Sequence, residues 1–442
     1  MKMPETPPTI PAEYDYGAVL NDLVSIGKFW ELFELNDNKY PYWDKCKYVA
    51  KGWGYDPVKL WAAIKSNRRN NRLYFDSQYK FYISTPSLVQ NYLHNFDMNL
   101  GGSMQGDGII PAQDKNRYLI SSLMEEAIAS SQLEGAATTR KLAKEMLEAN
   151  RAPRNESEQM ILNNYEAMKW IVSNKDRPFT NENILKLHAI ITKNTLGSQS
   201  EEGAFRQTDD VNVVDVQTGD VVHHPPAALQ LAGLMKAFCD LANERSKPGF
   251  FIHPITRGIV LHFLIGFIHP FTDGNGRTAR TIFYWYLIRK GYWLIEYMSV
   301  SRIILKAKAQ YARAYLHTEI DNNDLTYFII YNLQCIHTAL DELKKYIERK
   351  TNEKKNTIVL LRGTDFNERQ IRLLQEVLHD PTSSYSVAQV EEWFRISNQT
   401  ARNDLNGLVD AGLLNYRKAG RHMRFFAVND FTDRLATLKK KF

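Results

Sequence analysis

Cysteine is scarce: Cys46, Cys239 and Cys335 are the three in a chain of 442 residues. They are odd in number, far apart and in no CxxC or Cys/His spacing. That argues against a disulfide framework and a structural zinc site, and makes a reducing compartment the simplest setting. Long apolar runs are missing too. The most hydrophobic stretch, GIVLHFLIGFIHPF at 258–271, is too short to span a bilayer and holds two histidines. The N-terminal MKMPETPPTIPAEYDYG has prolines where a signal peptide needs an apolar segment. The expectation is a cytoplasmic protein without membrane contact. Excess charge is also absent: 56 Lys and Arg against 50 Asp and Glu give a formal net charge of +6. That permits nucleic acid or anionic ligands and demands neither. There is no fixed-period repeat, no low-complexity tract and no GxxxxGK(S/T), so any nucleotide is held by something other than a Walker loop.

What is present is helical periodicity, broken at identifiable points. Residues 1–105 are aromatic-rich around YPYWDKCKYVAKGWGYDPVKLW and read as short helices whose Trp and Tyr serve packing. The glycine-rich NLGGSMQGDGIIP at 99–111 closes that region. RYLISSLMEEAIASSQLEG then reads as a helix ending at Gly135, and Thr138 or Thr139 can cap the next one. Helices follow near 155–174, in NENILKLHAIITKNT and in PAALQLAGLMKAFCDLANE. Between those last two, DVNVVDV and VVHH flank QTGD, and a β-hairpin is expected near 209–224 as the one clear strand pair. ITRGIVLHFLIGFIHPF is a buried helix ending near His269, and RTARTIFYWYLIRKGY opens another. Residues 324–350 give a further helix, trailing into ERKTNEKKN, which reads as a linker. The last eighty residues show three helices and a basic hairpin, a winged helix-turn-helix pattern, with Ser397 as the N-cap of the third helix and Gly412 ending it.

The chemistry concentrates in HPFTDGNGRTAR, residues 269–280. His269 ends one helix, and Arg277 and Arg280 lie in the first turns of the next. The intervening Gly274, Asn275 and Gly276 lead into a helix N-terminus, where unpaired N–H groups and the helix dipole favour an anion. Two arginines three apart can reach one polyphosphate. Asp273 can hold Mg²⁺ on the same phosphates. An imidazole at His269 can take a proton from an attacking hydroxyl. Base, metal ligand and anion hole together describe transfer of a phosphate-bearing group onto a hydroxyl. Each signal alone is ordinary; DGNG by itself is a turn, and a His at a helix end is commonly a cap.

In this order the residues resemble, at every fixed position, the HxFx(D/E)GNGRxxR signature of the Fic family. The resemblance spans roughly residues 112–340. It implies a mainly α protein: an all-helical core with a small β-hairpin flap, beside the C-terminal winged helix. It also implies transfer of AMP from ATP, with Mg²⁺, to a Ser, Thr or Tyr hydroxyl of a target protein docked on the 209–224 hairpin. His269 would be the base and Asp273 the metal ligand. Gly274, Asn275 and Gly276 would line the anion hole, Arg277 would hold phosphates beside it, Arg280 would pair with the γ-phosphate, and Phe271 would anchor packing. Upstream, SSQLEG carries Ser130, Glu134 and Gly135, which match the family's (S/T)xxxE(G/N) inhibitory motif. Its Glu pairs with the second arginine of the signature, here Glu134 with Arg280, so the resemblance implies self-inhibition by a helix near 115–135. Glu134 can also orient a water for removal of AMP.

The expected organisation is therefore 1–105, a Fic domain at 106–350, and a winged helix at 362–442. In the last of these, Asn398, Gln399, Thr400, Arg402 and Asn403 can reach bases or phosphates, and Arg417, Lys418, Arg421 and Arg424 decorate the wing. Thirteen basic against ten acidic residues in this segment leave DNA and protein docking both open. Alternatives to protein adenylyltransfer are a DNA-binding regulator whose core senses nucleotide, and a Fic enzyme with another donor. A homodimer is compatible with this class. His223 and His224, at the end of the hairpin, read as structural.

Overall fold

A computed structural model describes the chain except residues 1–2, 12–13, 69–70, 76–77, 102–114, 216–217, 246–248, 362–365, 380–382, 420–421 and 439–442. The fold is mainly α. None of the described helices is long and apolar enough to cross a membrane. The chain divides into two compact units. One comprises Met1–Ser103, Glu125–Thr138 and Arg154–Ala339; the other comprises Met104–Met124, Thr139–Pro153 and Leu340–Phe442.

The centre of the first unit is a pair of buried helices, Pro254–Ile268 and Asn275–Arg289. The first begins with Pro254 at a position that needs no N–H donor, capped by His253, whose Nδ1 accepts from the Ile255 N–H. Apolar on nearly every face, it is enclosed on every face. Helices Glu156–Ser173, Asn181–Thr192 and Leu231–Ala242 surround the pair. The first two start where Asn155 and Thr180 accept N–H bonds from Glu158 and Asn183.

The first hundred residues pack into this same unit. Helices Tyr16–Ser25, Phe29–Lys39, Trp43–Trp53, Pro57–Asn67 and Ser87–Leu100 frame an antiparallel hairpin of Asn71–Tyr74 and Lys80–Ile83. Phe81 of that hairpin meets Phe263 and Phe267 edge-on, with ring centroids 5.9 and 5.2 Å away. Arg68 is fully enclosed, donating to the Pro41 carbonyl at 2.6 Å and facing Asp321 at 3.4 Å. A cation so deep needs such partners, and they tie the N-terminal helices to the turn after Lys308–Ile320.

In the second unit, Ser384–Ser386, His422–Ala427 and Leu414–Ala419 form a three-stranded antiparallel sheet with the His422–Ala427 strand in the middle. Helices Glu368–His379, Val387–Phe394 and Asn398–Asp410 pack on it around Leu374, Val390, Leu405, Leu408 and Phe425. Ser386 and Gln389 form a reciprocal capping box, and Ser397 caps the third helix as expected. Gly412 follows that helix with φ 71°. This is the winged helix.

Several expectations need correction. The 209–224 hairpin is real but minimal, Val213–Val214 against Val221–His223 with a register shift, and it is not the one strand pair. The Asn71–Ile83 hairpin escaped because its strands are four residues long and broken by charged and polar residues. ERKTNEKKN is not an irregular linker: the helix Thr326–Leu361 runs through it, since a Glu/Lys run without Gly or Pro offers nothing to stop a helix. The winged helix also has a leading strand, Ser384–Ser386, that was not foreseen.

Candidate active site

The His269–Arg280 segment is a loop between the two central helices. His269 is the C-cap of the first, in the left-handed region at φ 48°. Its Nδ1 lies 3.2 Å from the Gly266 carbonyl, which can only accept, so the proton sits on Nδ1 and Nε2 keeps its lone pair. Burial above all, with His223 and Arg206 nearby, pushes the imidazole down to about 4 against the opposing pull of Gly266 and Glu134. His269 is therefore neutral at pH 7, with its Nε2 lone pair available to take a proton.

The loop is held by side chains turned inward. Asn275 accepts from the Phe271 N–H at 3.0 Å and donates to the Phe271 carbonyl at 2.8 Å. Its side chain thus staples the loop, which leaves its backbone N–H to face an anion. Phe271 is wholly buried, as an anchor should be. Gly274, at φ 80°, starts the second helix where a Cβ would meet Thr192 Cγ2 at 2.8 Å. Asp273 accepts from the Gly274 N–H at 2.6 Å, and its side chain is 59% exposed. Arg277 is enclosed, reaching Asp273 Oδ2 at 3.3 Å and the Ile191 carbonyl at 3.2 Å.

One exposed carboxylate beside a helix N-terminus fits Mg²⁺, which binds through few protein ligands plus phosphate oxygens. No cluster of three or more His, Cys, Asp or Glu able to hold a metal by itself exists among the described residues. The donor set suits an ion that arrives with its nucleotide.

Ser130 and Glu134 converge on Arg280. The Arg280 Nε donates to Ser130 Oγ at 2.8 Å, and Nη2 donates to the Ser130 carbonyl at 3.0 Å and to Glu134 Oε1 at 2.7 Å. Glu134 is placed by the way its helix, Lys115–Leu133, ends. Gly135, at φ 99°, donates to the Gln132 carbonyl, and Ala136 donates to that of Ser131, the paired bonds of a Schellman motif. The carboxylate rests directly on Gly276, in the space a Cβ there would fill. Burial raises its pKa, but Arg280, Arg277 and His269 outweigh that and hold it below its usual range. An anion already sits at the helix N-terminus: the protein's own.

Sequence matches agree with this geometry. Residues 178–287 match the model of the Fic/DOC family. The match covers a quarter of the chain and includes the whole of the His269–Arg280 loop. Residues 369–421 match a DeoR-like helix-turn-helix domain. The chain is 28% identical over 220 residues to the protein adenylyltransferase Fic of Nematostella vectensis, a match covering 48% of this chain and 46% of that protein. It is 30% identical over 181 residues to the protein of that name from Aedes aegypti, covering 40% of this chain and 32% of that one. The chain thus spans less than half the length of these curated relatives. A crystal structure of a Fic family protein from Desulfovibrio desulfuricans G20 is 17% identical with a TM-score of 0.47, covering 78% of this chain and 97% of that one.

Three buried residues around this site were not foreseen, two of which, Arg206 and His188, hold the loop. Arg206 donates through its backbone to the Pro270 carbonyl and through Nε to the His269 carbonyl, both at 2.9 Å. Glu126 lies fully buried two turns before Glu134 on the same helix. It accepts from the Ser301 N–H and Ser299 hydroxyl at 3.0 Å and from the Tyr284 hydroxyl at 2.9 Å, and burial raises its pKa. His188 has both ring nitrogens bonded and its ring stacked on Phe271; burial pushes it down to about 4. At the hairpin, His223 sits 2.7 Å from Glu319 and 2.8 Å from the Phe267 carbonyl. Burial lowers its pKa, but with acceptors on both sides the net shift is upward. That pinning accords with the structural part expected of it. His224 lies on the surface, 2.9 Å from Asn212 Oδ1.

Proposed function

We propose that the protein is a protein adenylyltransferase that moves AMP from ATP to a hydroxyl side chain of a target protein, and that Glu134 holds it inactive. The observation that carries this reading is the pairing of a free imidazole Nε2 on His269 with a glycine helix N-terminus across the loop. The target hydroxyl gives its proton to Nε2 as its oxygen bonds to the α-phosphorus. The bond from that phosphorus to the bridging oxygen breaks, and pyrophosphate leaves. The N–H groups of Asn275, Gly276 and Arg277, with the Arg277 and Arg280 guanidiniums, receive the phosphates. Asp273 would hold Mg²⁺, which would supply neutralisation of phosphate charge. The Val213–His223 hairpin offers a strand edge for the target segment.

Glu134 blocks this by occupation: it takes the Arg280 partner and the space over Gly276 together. The test is incubation with Mg²⁺ and α-labelled ATP, alone and in cell lysate, of wild type, Glu134→Gly, and Glu134→Gly with His269→Ala. Glu134→Gly is expected to transfer label at least about tenfold faster than wild type, the loss of one charge-assisted competitor, and the double variant not at all. Equal labelling by wild type and Glu134→Gly would remove self-inhibition; silence from Glu134→Gly would remove the transferase.

A second reading, contact with DNA, draws on one feature of the winged helix. Of the two acids in its recognition helix, Asp410 is exposed at the C-terminal end, while Asp404 in the middle is turned inward, accepting from Asn367 at 2.7 Å and Arg369 at 3.1 Å. The outer face then presents Asn398, Gln399, Arg402, Asn403 and Asn406, all exposed, with Arg417 and Lys418 exposed on the wing. Thr400 and Arg424 are half-buried, and Arg421 lies outside the described residues. Amides suit base edges and the cations suit phosphates. Duplex binding that weakens steeply with salt and is lost in Arg402→Ala with Arg417→Ala would support it; salt-independent or absent binding would not.

A further inference from the structure

His188, at the end of helix Asn181–Thr192, has no exposed surface. The Gly203 N–H donates to its Nδ1 at 3.0 Å, so that nitrogen carries no proton. Nε2 lies 2.9 Å from the Asp273 carbonyl, which can only accept, so Nε2 carries it. The ring lies flat on Phe271, centroids 3.7 Å apart and planes within 5°. One tautomer in one orientation satisfies all three contacts.

The two bonds lead in different directions. The Asp273 carbonyl belongs to the peptide that enters Gly274, and the N–H of that same peptide is held by Asp273 Oδ1 at 2.6 Å. Turning that peptide would swing the carboxylate and the start of the helix N-terminus together. Gly203 belongs to the segment approaching the flap. At φ 71° it sits where a Cβ would meet Ala189 Cβ at 2.8 Å, so the segment lies hard against the His188 helix. That segment meets the loop twice more, through Arg206 on His269 and Pro270 and through Glu201 on Thr272 Oγ1 at 3.3 Å. His188 is the member of this set that reaches the Asp273–Gly274 peptide.

We infer that His188 is a positioning residue for the transfer: its Nε2–H fixes the Asp273–Gly274 peptide, and its Nδ1 locks the approach to the flap in register with it. This rests on reading the loop as the site of phosphate-group transfer. The two bonds can be separated by substitution. Gln at 188 can return a donor to Asp273, and Asn can return an acceptor to Gly203; Phe returns neither and keeps the stacking.

The experiment measures the three variants in the Glu134→Gly background by kcat, by thermal midpoint, and by calorimetric ATP binding with and without Mg²⁺. His188→Gln is expected to keep kcat within about threefold. His188→Asn and His188→Phe are expected to lose at least about tenfold, the scale of a sub-ångström misplacement. The strengthening of ATP binding by Mg²⁺ should survive in Gln and vanish in Asn and Phe, with the midpoints of Gln and Asn alike. Equal losses in Gln and Asn, or losses that follow the midpoint, would overturn the assignment. If Glu134→Gly with His188 intact transfers nothing, the adenylyltransferase reading fails instead, and calorimetry still reads what His188 does.

Discussion

His269 keeps its lone pair because burial makes the protonated ring expensive, and this has a measurable signature. A general base works only when unprotonated, and Glu134→Gly keeps the enclosing walls while removing one group that pulls the pKa up, so the acid limb of kcat/KM in that variant should fall well below the ordinary histidine value of about 6.5. A limb at 6.5 would mean that the ring is solvated in the working enzyme. Asn275 gives a second prediction at this scale. Asn275→Ala strands both the N–H and the carbonyl of buried Phe271, so it should cost about 2–4 kcal/mol of stability by chemical denaturation; a change under about 0.5 kcal/mol would show the staple idle. Of the site residues, those inside HPFTDGNGRTAR were legible because their order is so specific. The inward turn of Asn275 was not, since an amide beside two glycines reads equally as loop surface. Nor was His188: one histidine on an apolar helix face looks the same whether it fills a core or orients a peptide.

Between residue and molecule lie the helix ends. Gly276 lies in the first turn of the second central helix, and the space a Cβ would take there is filled by the Glu134 carboxylate, with Arg280 Nη1 3.2 Å away. Gly276→Ala fills the space wanted by that carboxylate and by a phosphate alike. In the Glu134→Gly background it should abolish transfer and weaken ATP binding, read by label and by calorimetry, although the inhibitor is gone. Persistent transfer would place the phosphates elsewhere. The Schellman turn at Gly135 was legible, because a helix that stops at a glycine has one common geometry. The Asn71–Ile83 hairpin was not, because strands of four residues leave too little alternation to count. The continuation of Thr326–Leu361 was misread for a different reason: charge density suggests a solvated linker, but helix propensity depends on side-chain entropy and backbone freedom, to which charge is nearly irrelevant.

At the scale of the molecule, the buried histidines set a dependence on acid. His188 and His262 are enclosed completely, and burial pushes them down to about 4 and about 3. In the unfolded chain both titrate near 6.5, so below that pH the unfolded state binds protons that the folded state refuses. Stability should be unaffected by these groups above pH 7, begin to fall through 6.5, and continue falling until the folded rings titrate. By pH 5 each subtracts about 2 kcal/mol, from 1.36 kcal/mol per unit of separation. Urea midpoints at pH 7.5 and pH 5 test this; coincident midpoints would mean that the two rings ionise freely in the folded protein.

With phosphates received at Gly276 as proposed, the carboxylate seated there makes the resting state and the occupied state mutually exclusive, because two anions cannot share one helix N-terminus. By thermodynamic reciprocity, an anion that weakens the hold of Glu134 by some factor has its own affinity weakened by the same factor. On the proposed function, the Lys115–Leu133 helix is therefore a gauge as well as a lock. Its hydrogen-exchange protection reports how strongly a ligand presses on the site, and any influence that tightens the helix is read, in the same currency, as a weaker grip on nucleotide.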